Sequence, residues 1–381
     1  MKKIIIAPDS FKESFSALEA ATAIEKGFKQ VFPDATYLKI PMADGGEGTV
    51  ESLADALNGE LRTIQVTGPL GNKVEATYAL AKQEEVAVIE MASASGLHHV
   101  PQDQRNPLIT TTYGTGELVV DALKNGATRI ILGLGGSATN DGGAGMAQAL
   151  GIKLLDENGH SIKHGGGALH TLHRIDTRGA DPLLAQAKIE VASDVENPLL
   201  GENGATAIYG PQKGATTPEI RAQLENGLTH FARVVDRQLG MDIRDTPGAG
   251  AAGGLGAGLL AFVNPRMASG VTLILEITRF QEKVSNADLV ITGEGRLDYQ
   301  SIFGKTPIGV ARAAKQDNIP VIALAGQLGH GYEAIYKHGI DAAYSLVPGA
   351  IPLEDAMKNG LTYLEELSRN IAMTWKLGKD K

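Results

Sequence analysis

Cysteine is absent from the 381-residue chain, which excludes disulfides and thiolate metal sites and gives no support to an oxidising compartment. Basic clusters are missing as well. The net charge is -9, and no Lys/Arg-rich stretch offers the grip that a nucleic-acid backbone requires, so small molecules, and not nucleic acid, are the expected partners. Long hydrophobic runs are also lacking. The longest uncharged apolar stretch, 248–263, is shorter than the roughly 20 residues of a spanning helix and is diluted by glycine. The opening MKKIIIAPDS meets Asp9 too soon for a signal-peptide hydrophobic region. No membrane association is expected, and the expected compartment is the cytoplasm. HExxH and GxSxG patterns are missing, which removes a His-based zinc site and a serine-hydrolase elbow. His98 and His99 are sequence neighbours that would point apart in a strand.

Glycine is abundant, and it is concentrated at punctuations. The most informative is GLGGSATNDGGAGM at 133–146, between the apolar run 129–132 and a helical pattern at 146–150. Glycines let backbone N–H groups approach a ligand, and a helix N-terminus adds positive potential, so Gly135, Gly136, Ser137 and Ala138 read as a phosphate cradle. Asp141 beside such a cradle is repulsive unless a cation or a proton in transit lies between, which points to Mg²⁺ or to a hydroxyl awaiting deprotonation. The plainer reading makes Asn140 or Asp141 a helix cap. Related loops are ADGGEGT (43–49), TYGTGE (112–117), YGPQKGA (209–215), PGAGAAGGLGAG (247–258) and TGEGRLD (292–298). Gly250, Gly254 and Gly258 share one helical face and suggest close helix packing.

The chain is long enough for two cores. Residues 3–7 form an apolar strand ending at Asp9, followed by a helix with the capping box Ser16/Glu19 and closed by Pro33. A second strand, 37–41, ends at Asp44, and a second helix covers Val50 to Leu57. Residues 61–67 and 73–80 then read as an antiparallel hairpin around GPLGN, with a further strand at 86–91. Clear parallel rhythm returns only at 288–292, 320–325 and 342–347, with Thr306-Pro307 as cap and first helical residue. The economical topology is α/β: a doubly wound parallel sheet from 1–60 and 280–381, with a second mixed α/β domain, 61–279, inserted into it and a site in the cleft between them. Ligands bind beyond the carboxyl ends of parallel strands, where Asp9, Asp44 and Glu294 fall, and a strand order 2-1-3-4-5 would set Asp9 and Glu294 at the switch point.

Phosphoryl transfer needs a phosphate cradle, cationic neutralisation and a group to orient or deprotonate the acceptor. Lys12, Lys213 and Lys305 lie in or beside glycine loops or strand ends. Asp194 and Glu196 follow a strand-like 189–192, and Glu294, Arg296 and Asp298 alternate in charge, as a metal or substrate site or as a local ion-pair network. GKT at 304–306 is no Walker A loop, because Tyr299 stands where its first glycine belongs. A dehydrogenase reading uses Gly133, Gly135 and Ala138 as GxGxxA with Asp156 as the ribose acid, but residues 154–162 read as a hairpin with Asp156 in its turn. A noncatalytic sensor of small acids would not need so many carboxylates around phosphate cradles.

The motifs APDSFKES (7–14), ADGGEGT, GTGE, GLGGSATNDGGAGM, SDVENPL (193–199), GPQKGA, PGAGAAGG, TGEGRLDYQS and GKTP together resemble the bacterial glycerate kinases of the type that includes the glycerate 2-kinases, across essentially the whole chain. The resemblance implies a flavodoxin-like domain carrying an inserted α/β domain. It also implies ATP-dependent phosphorylation of D-glycerate at the 2-hydroxyl, with the 3-hydroxyl as the alternative, and a place after tartronate semialdehyde reduction in glyoxylate or sugar-acid breakdown. On that basis ATP and Mg²⁺ are expected against Gly135, Gly136, Ser137 and Asn140 and a second cradle at Gly45, Gly46 and Gly48. Lys12 would neutralise transferring charge, Asp194 or Glu294 would hold magnesium, Asp9 or Asp141 would take the hydroxyl proton, and Arg296 and Lys213 would meet the glycerate carboxylate. The expected assembly is a monomer or a homodimer.

Overall fold

A computed structural model describes residues 2–43, 48–57 and 59–379. Its described residues fall into two compact units, one from 1–44, 51–58 and 270–381 and the other from 45–50 and 59–269. The first unit opens with β1 (Lys3–Pro8) and β2 (Thr36–Lys39). The second contributes β3 (Glu60–Thr67), β4 (Lys73–Ala81), β5 (Val86–Glu90), β6 (Arg129–Gly133), β7 (Lys153–Leu155), β8 (Arg174–Asp176), β9 (Lys188–Ala192) and β10 (Arg266–Ala268). The chain then completes the first unit with β11 (Leu289–Leu297), β12 (Val321–Leu328) and β13 (Ala342–Ser345).

The first unit is a five-stranded sheet in the order β13-β12-β11-β1-β2, parallel throughout. Counted within the unit this is 2-1-3-4-5, the doubly wound order expected from the sequence. Ile4, Ile5, Ile6 and Ala7 have no exposed surface, as a strand covered on both faces requires. The helix Ala17–Lys29 starts at the anticipated capping box, with Glu19 N–H donating to Ser16 Oγ at 3.2 Å and Ser16 N–H to Glu19 Oε2 at 2.9 Å. Its Gly27 is required by packing, since a Cβ there would lie 2.4 Å from the Glu365 carbonyl oxygen on the C-terminal helix.

The second unit holds a six-stranded sheet, β10-β9-β6-β5-β4-β3, and the two-stranded ladder β7-β8. The β3/β4 hairpin is antiparallel as expected, closed by Gly68 N–H donating to the Asn72 carbonyl at 2.6 Å. Beyond β5, however, the sheet is parallel through β6, β9 and β10. Parallel rhythm therefore does not wait for the end of the chain; these strands are short and separated by long irregular stretches, which hides their period. Glu190 in β9 is fully buried and pairs with Arg129 on β6, with Lys188 at 3.0 Å and with Arg266 on β10 at 3.1 Å. Burial pushes its carboxyl up, but Arg129 and Lys188 outweigh it and hold the group below the ordinary range.

Three local expectations are corrected. Thr306 is the first helical residue of Thr306–Lys315 and not its cap, Lys305 holding that place. The glycine face of 250–258 is not one straight helix, because Ala252, Gly253 and Gly254 have φ of 53°, 70° and 85°. His98 and His99 lie in a short 3₁₀ turn with rings 4.0 Å apart, so they do not point away from each other. Among the described residues no helix is long and apolar enough to cross a membrane.

Candidate active site

In the first unit the parallel strands end at a cavity of about 980 Å³. Asp9 follows β1, where its backbone N–H donates to the Gly293 carbonyl of β11 at 2.8 Å. The side chain is 5% exposed and oriented from both sides: Ser10 N–H donates to Oδ1 at 2.6 Å, and the Thr306 hydroxyl donates to Oδ2 at 2.6 Å. Thr306 thus gives its hydroxyl to the strand-end carboxylate, which is a consequence of sitting one residue inside the helix. Glu294 on β11 is half-buried, accepting from the Ser301 hydroxyl at 3.0 Å and facing Lys305 Nζ at 3.7 Å. Lys12, Glu13, Arg296 and Lys305 complete the charged lining. Arg296 is exposed and pairs with Asp298 at 3.1 Å, so the local ion-pair reading holds for that couple, while Glu294 turns to Ser301 and Lys305.

The second unit assembles the Gly-rich loop. Gly135 and Gly136 are exposed, Gly136 with φ of 72°. The Gly136 carbonyl accepts from Leu97 N–H at 2.9 Å and Ala138 N–H donates to the Ser95 carbonyl at 2.9 Å, so part of the expected cradle is spent within the fold. Asp141 is fully buried and accepts from Thr112 N–H at 2.8 Å, the Thr112 hydroxyl at 2.9 Å, and Gly143 and Gly145 N–H at 3.2 Å each. It organises the entry to the six-residue helix Ala144–Ala149. Burial raises its carboxyl above the ordinary range, against these donors. Asn140 is buried and donates from Nδ2 to the Thr206 hydroxyl at 3.1 Å, whereas its Oδ1 and the Thr139 hydroxyl are buried with no protein partner.

Lys213 is 1% exposed, not a surface lysine. Its Nζ donates to Ser137 Oγ at 2.7 Å and to the Thr139 carbonyl at 2.8 Å, tying YGPQKGA to the glycine loop. Burial lowers its pKa to about 7, with the Asp141 carboxylate pulling the other way. Asp194 and Glu196 are exposed in the loop after β9. Gly48 has φ of 88° and open space at the Cβ position, while Gly45, Gly46 and Asp44 lie outside the described residues. Asp156 accepts from Asn158 and His160 N–H in a tight hairpin turn, both at 2.9 Å, so it does not end a parallel strand as a ribose-binding acid would.

The glycerate kinase family model matches residues 4–376. The chain belongs to that family. It is 60% identical to a glycerate kinase of Halalkalibacterium halodurans over 98% of both chains. To the glycerate 2-kinase of Escherichia coli it is 52% identical, over 99% of this chain and 98% of the other. A crystal structure from Salmonella typhimurium, described as a glycerate kinase 2, superposes with a TM-score of 0.92 at 51% identity, covering 100% of both chains. In this family member the sequence reading misses the short hydroxyls Thr112, Ser301 and Thr306; what marks them is only their position inside TYGTGE, DYQS and FGKTP.

The buried lysine makes stability depend on pH. Its folded pKa of about 7 lies below the ordinary 10.5, so between those values the unfolded chain holds a proton that the folded chain has released. The cost of burying Lys213 is fully present below that window and is relieved as pH rises through it. Between pH 7 and 9, the unfolding free energy of the wild type relative to Lys213→Met is expected to rise by up to about 1.4 kcal/mol per pH unit. Urea titrations of both proteins at three pH values measure it, and a difference independent of pH would show that Lys213 does not titrate there.

Proposed function

We propose that the protein transfers the γ-phosphoryl group of ATP to the 2-hydroxyl of D-glycerate, giving 2-phosphoglycerate and ADP. The observation that carries the reading is Asp9: an almost fully buried carboxylate, aimed by two hydrogen bonds, at the switch point of a doubly wound sheet and beside Lys12 and Lys305. Asp9 accepts the proton of the glycerate hydroxyl as its oxygen forms the new bond to phosphorus and the bond to the bridging oxygen of ADP breaks. Lys12 offsets charge on the transferring group, and Arg296 meets the glycerate carboxylate. Gly135, Gly136, Ser137 and Asn140 form the phosphate-binding loop of the second unit, with Gly48 as a further contact, and Lys213 serves that loop by fixing Ser137 and Thr139.

The donor set suits a hard divalent cation. Mg²⁺ takes one or two carboxylates and fills its remaining positions with phosphate oxygens and water, so a half-buried Glu294 on the cavity wall is compatible with it although the described residues contain no cluster of three acidic or histidine ligands. Either Glu294 or Asp194 is the proposed ligand. Bound there, the ion would neutralise charge on the phosphates of ATP. A role in glyoxylate and sugar-acid breakdown belongs to the same proposal.

Incubation of the purified protein with D-glycerate, ATP and Mg²⁺, followed by phosphorus NMR, is expected to show 2-phosphoglycerate. The 3-isomer would overturn the position of transfer, and no turnover would overturn the reading.

A further inference from the structure

We propose that Ser137 is a site of phosphorylation by the protein's own ATP when no acceptor is present, with Lys213 as the base that takes its hydroxyl proton; the inference rests on the kinase reading above and on its phosphate-binding loop. Transfer to glycerate leaves Lys213, a buried titratable group, without a chemical task. Lys213 ends the one-turn helix Pro211–Lys213, which Gly214 closes at φ of 104°. A Cβ on Gly214 would stand 2.1 Å from the Arg105 carbonyl oxygen, so the turn sits directly on that backbone. From there the side chain, 1% exposed, reaches Ser137 Oγ at 2.7 Å and the Thr139 carbonyl at 2.8 Å. Ser137 is held as closely. Leu97 N–H donates to the Gly136 carbonyl and Ala138 N–H to the Ser95 carbonyl, both at 2.9 Å, which clamps the backbone on either side of Ser137 in a bridge to Gly96.

A lysine that only tied two loops together would do so best as an ammonium. Burial brings Lys213 to a pKa of about 7 against the pull of Asp141, so near neutrality much of it is free amine. A free amine has two N–H donors and one lone pair. One N–H keeps the Thr139 carbonyl, and the lone pair accepts the Ser137 hydroxyl across the same 2.7 Å. A hydroxyl within hydrogen-bond reach of such a base is an activated nucleophile. Ser137 is 6% exposed and directly follows two exposed glycines, so the loop opens to the surface at its side. With no glycerate to receive the phosphoryl group, Lys213 takes the Ser137 proton as Oγ forms its bond to the γ-phosphorus of ATP. The bond from that phosphorus to the β,γ-bridging oxygen breaks, and ADP leaves with its electron pair. The proton stays on Lys213, whose ammonium then faces the phosphoserine, and this charge-assisted pair stabilises the product.

The test is to incubate the purified protein with ATP and Mg²⁺ without glycerate, and to follow intact mass and the peptide that carries the modification. The wild type is expected to gain one phosphoryl group on Ser137, at a rate independent of protein concentration. Ser137→Ala and Lys213→Met are expected to gain none. A second measurement on the wild type alone covers the case in which Lys213→Met fails to fold. The charged and titratable groups around Lys213 are Asp141 on the glycine loop, Arg105, which donates to the Gln212 carbonyl at 3.2 Å, and Tyr209 on the adjoining helix Ala205–Tyr209, whose hydroxyl donates to Asn197 Oδ1 at 2.8 Å. The free-amine fraction of a group with a pKa near 7 grows about tenfold from pH 6 to pH 8, and the labelling rate is expected to grow with it. No mass gain in a protein that phosphorylates glycerate overturns the inference and leaves the kinase reading standing, whereas no gain and no glycerate turnover overturns both. A gain that persists in Ser137→Ala, wild-type labelling of Lys213→Met, or a rate flat between pH 6 and 8 also overturns the inference.

Discussion

Asp9→Asn is expected to lower kcat about a thousandfold, the middle of the range that a positioned general base contributes, while leaving the KM for ATP within about threefold of wild type. The substitution is nearly isosteric, and the amide oxygen can still accept from Ser10 N–H or from the Thr306 hydroxyl, the two donors that now orient the carboxylate. What it removes is the capacity to take a proton. Asp141→Asn is the informative contrast. Its carboxylate receives donors from Thr112, Gly143 and Gly145 in full burial, so an amide N–H₂ there faces N–H groups, at a cost of about 2–3 kcal/mol for buried donors left unsatisfied. Asp141→Asn should therefore lower the unfolding free energy and leave kcat of the folded protein near wild type. If Asp9→Asn keeps kcat within tenfold of wild type, Asp9 is not the base; if Asp141→Asn is stable and slow, the roles are reversed.

The two aspartates show where sequence patterns reach and where they stop. Strand ends were legible: the short, Ile-rich run Ile4–Ala7 reads as a strand buried on both faces, and a carboxylate just after it falls at the ligand edge of a parallel sheet. The capping box at Ser16 and the hairpin around Gly68 were legible because each is written in a few neighbouring residues. Asp9's hydrogen-bond partner Thr306 is 297 residues away in the chain, and no local pattern joins them. The burial of Lys213 was not legible for the same reason. A lysine in isolation belongs on the surface because desolvation of its charge is costly, and the groups that compensate for it, Ser137 and the Thr139 carbonyl, sit on a loop more than seventy residues earlier. The glycine spacing at 250–258 announced tight packing, yet helical periodicity assumes φ near −60°, and the three consecutive left-handed residues that break it carry no signature beyond being small.

That break supports the second large effect. Gly253→Ala is expected to lower the unfolding free energy by about 3–5 kcal/mol, the sum of a left-handed alanine and a steric overlap in a packed interior. A Cβ on Gly253 would stand 1.9 Å from the Thr139 carbonyl oxygen and 2.7 Å from Asn140 Cα, at φ of 70°. The struck atom is backbone and cannot rotate away. Relief requires the 139–142 loop to move, yet Thr139 O is also the acceptor of Lys213 Nζ at 2.8 Å, and Gly142 N–H donates to the Gly253 carbonyl at 3.1 Å. Shifting the loop would strand a buried ammonium, and with it the contact that fixes Ser137. Gly201→Ala supplies the control, since Gly201 has φ of 86° but nothing within 4 Å of a Cβ, so it isolates the left-handed penalty of about 1 kcal/mol. Urea unfolding of the two variants measures the difference directly. Equal losses would mean that the glycine loop yields to the methyl group without cost, and that the 247–254 segment does not brace it.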